Sequence, residues 1–188
     1  MNIRLIAASL LLVMLAACAS APPIRYYTLL RPLDAGALPQ QAPMIDVDAV
    51  KVPAAADYPQ LVVRQGAERV ALVEGQQWIA PLPDEIRNGL TARLAGIAAP
   101  DGVRLSVAIT RFESVLGGYA LVEAQWQLRG PTRDASLQCA FRRVEPVADG
   151  FDALVAGHQR ALDALADAVA RAVPTVAPGA APACPPAV

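Results

Sequence analysis

The chain has 188 residues and a formal net charge of −1, and 18% of its residues are charged. Its 16 lysine and arginine residues form no dense basic run, which excludes a nucleic-acid-binding surface. The length is sufficient for one domain with a substantial hydrophobic core, and two domains are not expected.

The first apolar segment is too short to cross a membrane. The 13 residues from Leu5 to Ala17 would form a helix of about 20 Å, whereas the hydrocarbon core of a bilayer is about 30 Å thick. Arg4 precedes this segment and the small residues Ala16 and Ala17 end it, as in a secretory signal. Residues 1–17 are therefore predicted to be a signal peptide that is removed.

The end of this signal, Leu15-Ala16-Ala17-Cys18, resembles the lipobox of bacterial lipoproteins. In such proteins the cysteine receives a diacylglycerol, for example with palmitate chains, and becomes the first mature residue. Several acyl chains anchor firmly, since each buried methylene contributes about 0.8 kcal/mol. Ala19 and Ser20 follow, without the aspartate that retains lipoproteins in the inner membrane. We therefore expect lipidation at Cys18 and a position in the outer membrane, facing the periplasm; the alternative is a plain signal peptide.

Composition and periodicity divide the rest of the chain into three parts. Residues 18–24 form a short lipidated linker, and residues 25–173 contain all the segments with strand or helix periodicity. Residues 174–188 are rich in proline and alanine and have no periodicity, which predicts an extended tail. One folded domain between a linker and a tail is expected.

Three strand-forming segments open the domain. Residues 25–30, RYYTLL, are aromatic and favour a first strand. Residues 44–52 alternate apolar and polar side chains but change phase near Ala49, which indicates a bulged strand. Two apolar runs on either side of residues 65–68 predict a hairpin with a short loop.

A first helix is predicted from Pro83, which suits the first helical position, and Asp84 and Glu85 favour the helix start electrostatically. Its apolar stripe consists of Leu82, Ile86, Leu90, Leu94 and Ile97.

Three further strands are predicted as a meander over residues 103–115, 119–130 and 135–144. A second helix is predicted from about Phe151 to Val173, because Pro174 cannot continue it.

The sequence contains few residues that could form a catalytic site. His158, the only histidine, lies on the apolar stripe of the second helix, which favours a packed residue over a base acting on Cys139. No nucleophile, zinc or phosphate-binding motif occurs, so neither metal nor cofactor is expected. The sequence therefore predicts a protein that is not an enzyme.

Two cysteines remain after Cys18, and export would expose both to an oxidising compartment. Cys139 and Cys184 either pair as a disulfide, or Cys139 is a buried free thiol on the apolar face of its strand.

Aromatic residues supply the other candidate contacts. Trp78 and the pair Tyr26 and Tyr27 either attach strand ends to the core or contact a partner. Trp78 and Tyr119 are the candidate interface residues.

Five segments together resemble a known family. They are RYYTLL, VKVPAAADYPQLVVR, WIAPLPDEIRNGLTARL, ITRFES with LVEAQWQL, and FDALVAGHQRALDALADAVARAV, in this order behind the lipobox. They are similar to the ABC-type transport auxiliary lipoproteins, also called PqiC-like proteins. The proline-rich tail with Cys184 is not part of the resemblance, so a disulfide would be particular to this protein or its near relatives.

The resemblance implies an α/β single domain with a mixed, largely antiparallel sheet flanked by two main helices, similar to the TolB amino-terminal domain. It implies a non-catalytic role beside a periplasm-spanning MCE-domain (mammalian cell entry) protein and its inner-membrane transport components, which are thought to carry lipids between the membranes. A homo-oligomeric ring is also implied. The matching residues Tyr27, Pro53, Trp78, Pro81 and Leu82 would be structural or interfacial.

Two other functions remain open from the residues alone. One is a structural envelope lipoprotein that binds peptidoglycan or another envelope protein. The other is a hydrolase without a recognisable motif.

Overall fold

The computed structural model describes residues 23–32, 45–132 and 134–186. The predicted signal peptide and Cys18 lie outside the described residues. Within these ranges, seven strands, two α-helices and one short 3-10 helix follow one another. They are β1 (Arg25–Tyr27), β2 (Ile45–Lys51), β3 (Gln60–Arg64), β4 (Val70–Trp78), α1 (Leu82–Leu94), β5 (Val103–Val115), β6 (Tyr119–Arg129), β7 (Ser136–Pro146), α2 (Phe151–Ala172) and the 3-10 helix Val173–Val176.

The strands divide into two mixed sheets. One has the order β1-β4-β3 and the other the order β2-β5-β6-β7. Strands β1 and β4 run parallel, as do β2 and β5, and the remaining neighbours are antiparallel. This confirms the predicted α/β class with largely antiparallel pairing, and the predicted bulge is present as a register shift between Val47 and Ala49.

The predicted meander is formed by β5, β6 and β7. Gly117, with φ of 65°, and Gly118 turn the chain between β5 and β6, and the Gly118 N–H donates to the Val115 carbonyl at 3.1 Å. A side chain at Gly117 would also collide with the Asp149 carboxylate. Along β6, the alternating residues Val122, Ala124, Trp126 and Leu128 are buried. The turn and this alternation are therefore both set by local sequence.

Both helices bury one face against the strands. Helix α1 packs on β2 and on α2, and α2 packs on β6 and β7. Helix α1 begins at Leu82, so Pro83 occupies its second rather than its first position. The apolar stripe of α1 is fully buried as far as Leu94, and Ile97 packs on the core from beyond the end of the helix.

Glu85 does more than favour the start of α1. Its carboxylate is buried and accepts hydrogen bonds from the Thr28 hydroxyl and the Leu29 N–H, both at 2.7 Å. The first turn of α1 thereby holds the chain that leaves β1. Sequence periodicity could not show this contact, because the partners are more than 50 residues apart.

Candidate interaction surface

Trp78 ends strand β4 and lies in the core, with only 5% of its surface exposed. Its ring meets the edge of Phe112, with ring centroids 6.2 Å apart and an interplanar angle of 75°. The backbone N–H of Trp78 donates to the Pro59 carbonyl at 2.8 Å. The structure thus favours the structural interpretation of this tryptophan, of which only a small part reaches the surface.

The parallel pairing of β1 with β4 separates the two neighbouring tyrosines. Tyr27 lies opposite Trp78 in the register and faces the core with it, and its hydroxyl donates to Gln76 at 2.7 Å. Tyr26 lies opposite Gln77 on the other face, because successive strand residues point to opposite sides. Tyr26 is consequently 56% exposed.

An open groove lies over Trp78, and we call it the aromatic groove. Its most exposed large side chains are Tyr26, Tyr58 and Ile79, the last with 60% of its surface exposed. One lining residue, Asp57, is acidic, and none is a lysine or arginine. The lining residues are Tyr26, Asp57, Tyr58, Pro59, Gln77, Trp78, Ile79, Ala80 and Pro81. This surface is suited to apolar or aromatic contacts.

Tyr119, the other candidate interface residue, begins β6 and is half-buried. Its hydroxyl donates to the carboxylate of Glu113, which also accepts from Arg64 at 2.7 Å and from Arg111 at 3.0 Å. Burial alone would raise the pKa of Glu113, but these three hydrogen bonds outweigh it and lower the pKa. The hydrogen bond to Glu113 in turn raises the pKa of Tyr119. The hydroxyl of Tyr119 therefore already has a hydrogen-bond partner within the domain.

A second exposed apolar surface adjoins this cluster, and we call it the apolar strip: Val62, Val70 and Leu72 of the β3–β4 hairpin. Val62 lies opposite Leu72 in the register, and Val70 is 59% exposed. Val62 and Val70 line a cavity together with Arg111 and Glu113. The strip and Tyr119 therefore border the same cluster of charges.

A serine–histidine pair lies inside the domain. The Nε2 atom of His158 is 2.8 Å from the Ser114 hydroxyl, and both side chains are buried. Nδ1 of His158 has no hydrogen-bond partner among the described residues, so no carboxylate orients the ring. Complete burial lowers the pKa of His158 to about 3. A substrate cannot reach this pair, which favours the prediction that His158 is a packed residue.

The two remaining cysteines are brought together. A disulfide joins Cys139 of β7 to Cys184 of the tail, with Cα atoms 5.7 Å apart. Pro185 and Pro186 beside it line a cavity together with Trp126 of β6 and with residues of β7 and α2. In this arrangement Cys139 is bonded to Cys184 and is not a nucleophile for His158.

Among the described residues, no group of three histidine, cysteine or acidic side chains is placed to hold a metal ion. Neither helix in the described ranges has the length and hydropathy needed to cross a bilayer.

A family model described as "ABC-type transport auxiliary lipoprotein component" matches residues 27–170. The chain belongs to this family. The matched region runs from the last residue of β1 almost to the end of α2, and it confirms the resemblance found in the five sequence segments. Membership in this lipoprotein family makes the chain an auxiliary component of a transport system, held at a membrane of the cell envelope. The tail with Cys184 lies outside the match.

Solved structures support the fold. One crystal structure, of a protein described as uncharacterized, is 20% identical over 80% of this chain and 98% of its own, with a TM-score of 0.65. Protein XCC0632 from Xanthomonas campestris is 20% identical over 76% of this chain and 90% of its own, with a TM-score of 0.55. Both likenesses concern the fold alone. No curated protein matches the chain.

Proposed function

We propose that the protein is a non-catalytic lipoprotein, anchored in the outer membrane through Cys18 and facing the periplasm. It acts as the auxiliary component of an MCE/ABC-type intermembrane lipid transport system and supports the integrity of the envelope. The observation that carries this proposal is the family match over residues 27–170. The lipobox-like ending at Cys18 supports the anchor.

The internal geometry supports a role by contact rather than by catalysis. The serine–histidine pair that most resembles catalytic machinery is Ser114 with His158, and it is buried without an orienting carboxylate. The described domain also exposes two groups of apolar side chains, the aromatic groove and the apolar strip. A protein that binds partners needs such surfaces, since interfaces of about 800 Å² per partner have an apolar core and usually contain aromatic anchors.

We assign the protein contacts to the apolar strip together with Tyr119. Val70 and Leu72 are exposed on a sheet whose other face is packed, and the adjoining side chains of Arg64 and Arg111, which pair with the buried Glu113, provide a polar rim. This arrangement of apolar centre and polar edge is typical of protein interfaces. The partners would be further copies of the chain, assembled as a ring, and the MCE-domain protein that spans the periplasm towards the inner-membrane transport components.

The test is copurification with the MCE-domain protein after mild crosslinking, together with sedimentation of the purified protein. Val70→Ser combined with Leu72→Ser should weaken both associations. Val144→Ser is the matched control, because Val144 is an exposed valine on β7, in the other sheet. A wild-type protein that is strictly monomeric, binds no MCE partner and hydrolyses an ester or peptide would overturn the proposal. Retention on peptidoglycan instead would indicate a structural envelope lipoprotein.

A further inference from the structure

The aromatic groove lies at the end of the domain where the lipid tether enters. Only five residues lie between Cys18 and Ile24, which precedes β1, so the two are six residue steps apart. An extended chain spans at most about 3.6 Å per residue, so Ile24 is held within about 22 Å of the anchored cysteine. When Cys18 is acylated, this end of the domain can never move far from the bilayer surface.

The chemistry of the groove matches the interfacial region of a bilayer. Tyrosine and tryptophan combine an apolar ring with a polar end and are enriched where headgroups meet acyl chains. Tyr26 and Tyr58 are exposed, and Ile24, two residues before Tyr26, is exposed as well. Among the residues that line the groove, Asp57 alone is charged, so attraction between the groove and anionic headgroups would contribute little.

We propose that the aromatic groove, together with Ile24, rests in the headgroup region of the membrane that holds the acyl anchor. This inference rests on the proposed anchoring at Cys18. The tether holds the groove close to the bilayer, so the effective concentration of lipid at the groove is high. A weak apolar contact is then sufficient to orient the domain.

The orientation has a consequence for the other surface. Trp78 ends β4 beneath the groove and Val70 begins it, and eight residues at about 3.3 Å each place the two ends of the strand roughly 26 Å apart. With the groove against the membrane, the apolar strip is presented towards the periplasm. It is then accessible to a protein that approaches from the inner membrane.

Site-specific photocrosslinking of the full lipidated chain tests the contact. Ile79 and Val70 have nearly equal exposure, 60% and 59%, but lie at opposite ends of β4. Each is replaced in turn by benzoylphenylalanine, and the acylated protein is reconstituted in vesicles of phosphatidylethanolamine and phosphatidylglycerol. Mass spectrometry of the digested protein should find lipid adducts at position 79 and none above the unirradiated background at position 70. Added salt should not remove the adducts.

Other outcomes contradict the inference in distinguishable ways. Lipid adducts at both positions would show that the domain has no fixed orientation, and adducts to a second copy at position 79 would make the groove a protein interface. An acylated chain without lipid adducts at position 79 would overturn the membrane contact and leave the anchor intact. If the mass of the amino-terminal peptide showed Cys18 to be unmodified, the anchor and the membrane contact would both be wrong.

Discussion

His158 stacks on Phe112, with ring centroids 3.9 Å apart and planes within 9° of parallel. Phe112 also meets Trp78 edge-on, so three aromatic rings connect the floor of the aromatic groove to helix α2. The Ser114 hydroxyl contacts the Nε2 atom of the same histidine from β5. His158 therefore links α2 to the four-stranded sheet as a neutral packing residue.

The burial of neutral His158 should make the stability of the protein depend on pH. The pKa of His158 is about 3 in the folded protein and about 6.5 in an unfolded chain, so between these values the unfolded state binds more protons. The free energy of unfolding should be highest above about pH 6.5 and should fall, by up to about 1.4 kcal/mol per unit, as the pH decreases. Urea unfolding over this range measures the slope.

His158→Gln is the control, because it removes the only histidine while leaving a polar group near Ser114. Its stability should be nearly independent of pH between about 5 and 6.5. At lower pH, both proteins should lose stability as Glu113 and Glu145 become protonated, since the pKa of each is lowered in the folded state. Identical slopes for the two proteins above pH 5 would show that His158 takes up its proton in the native state.

Local sequence was sufficient to place His158 on the buried face of α2, but not to find its partners. Phe112 and Ser114 lie more than 40 residues earlier, in β5, and their contact depends on how α2 packs over the sheet. The separation into two sheets was missed for the same reason. The parallel pairs β1–β4 and β2–β5 join distant segments, and no local pattern specifies them.

The aromatic groove shows the same limit. Strand alternation predicts that Tyr26 and Tyr27 point to opposite sides, but not which of them is buried. That choice is made by the register with β4, where Tyr27 lies opposite Trp78. Interface candidates chosen by residue type alone therefore included the buried Trp78 and did not include Ile79, whose exposure follows from its place just beyond β4.

Removal of the tail disulfide should lower stability. Cys184→Ala leaves Cys139 as a small buried thiol and opens a loop with a sequence separation of 45 residues. Loss of such a crosslink costs about 2–4 kcal/mol of unfolding free energy. Urea unfolding without reductant measures this loss. Under reducing conditions the wild type and the variant should have the same free energy of unfolding.

The disulfide can also be detected directly by mass. Protein exported to the periplasm should be two hydrogens lighter than reduced protein; two free thiols in unreduced material would contradict the pairing.

Replacement of the predicted lipidated cysteine should remove the protein from the outer membrane. Cys18→Ala removes the thiol that forms the thioether, so the precursor should stay uncleaved or mislocalised. Fractionation of the envelope measures the effect, with Ser20→Ala as a control that leaves the thiol intact. A Cys18→Ala protein that still fractionated with outer membranes in the wild-type amount would show that another contact holds it there.

Two substitutions at the aromatic groove should separate stability from contact. Trp78→Ala removes a core ring that packs on Phe112, and truncation of a buried tryptophan costs about 3–5 kcal/mol. Ile79→Ser changes an exposed neighbour and should alter stability by no more than about 0.5 kcal/mol. Thermal unfolding of both variants measures the effect on stability. Crosslinking to lipid and to the MCE-domain protein measures the effect on contact. If Trp78→Ala melted like the wild type but no longer self-associated, Trp78 would be an interface residue and not a residue that stabilises the core.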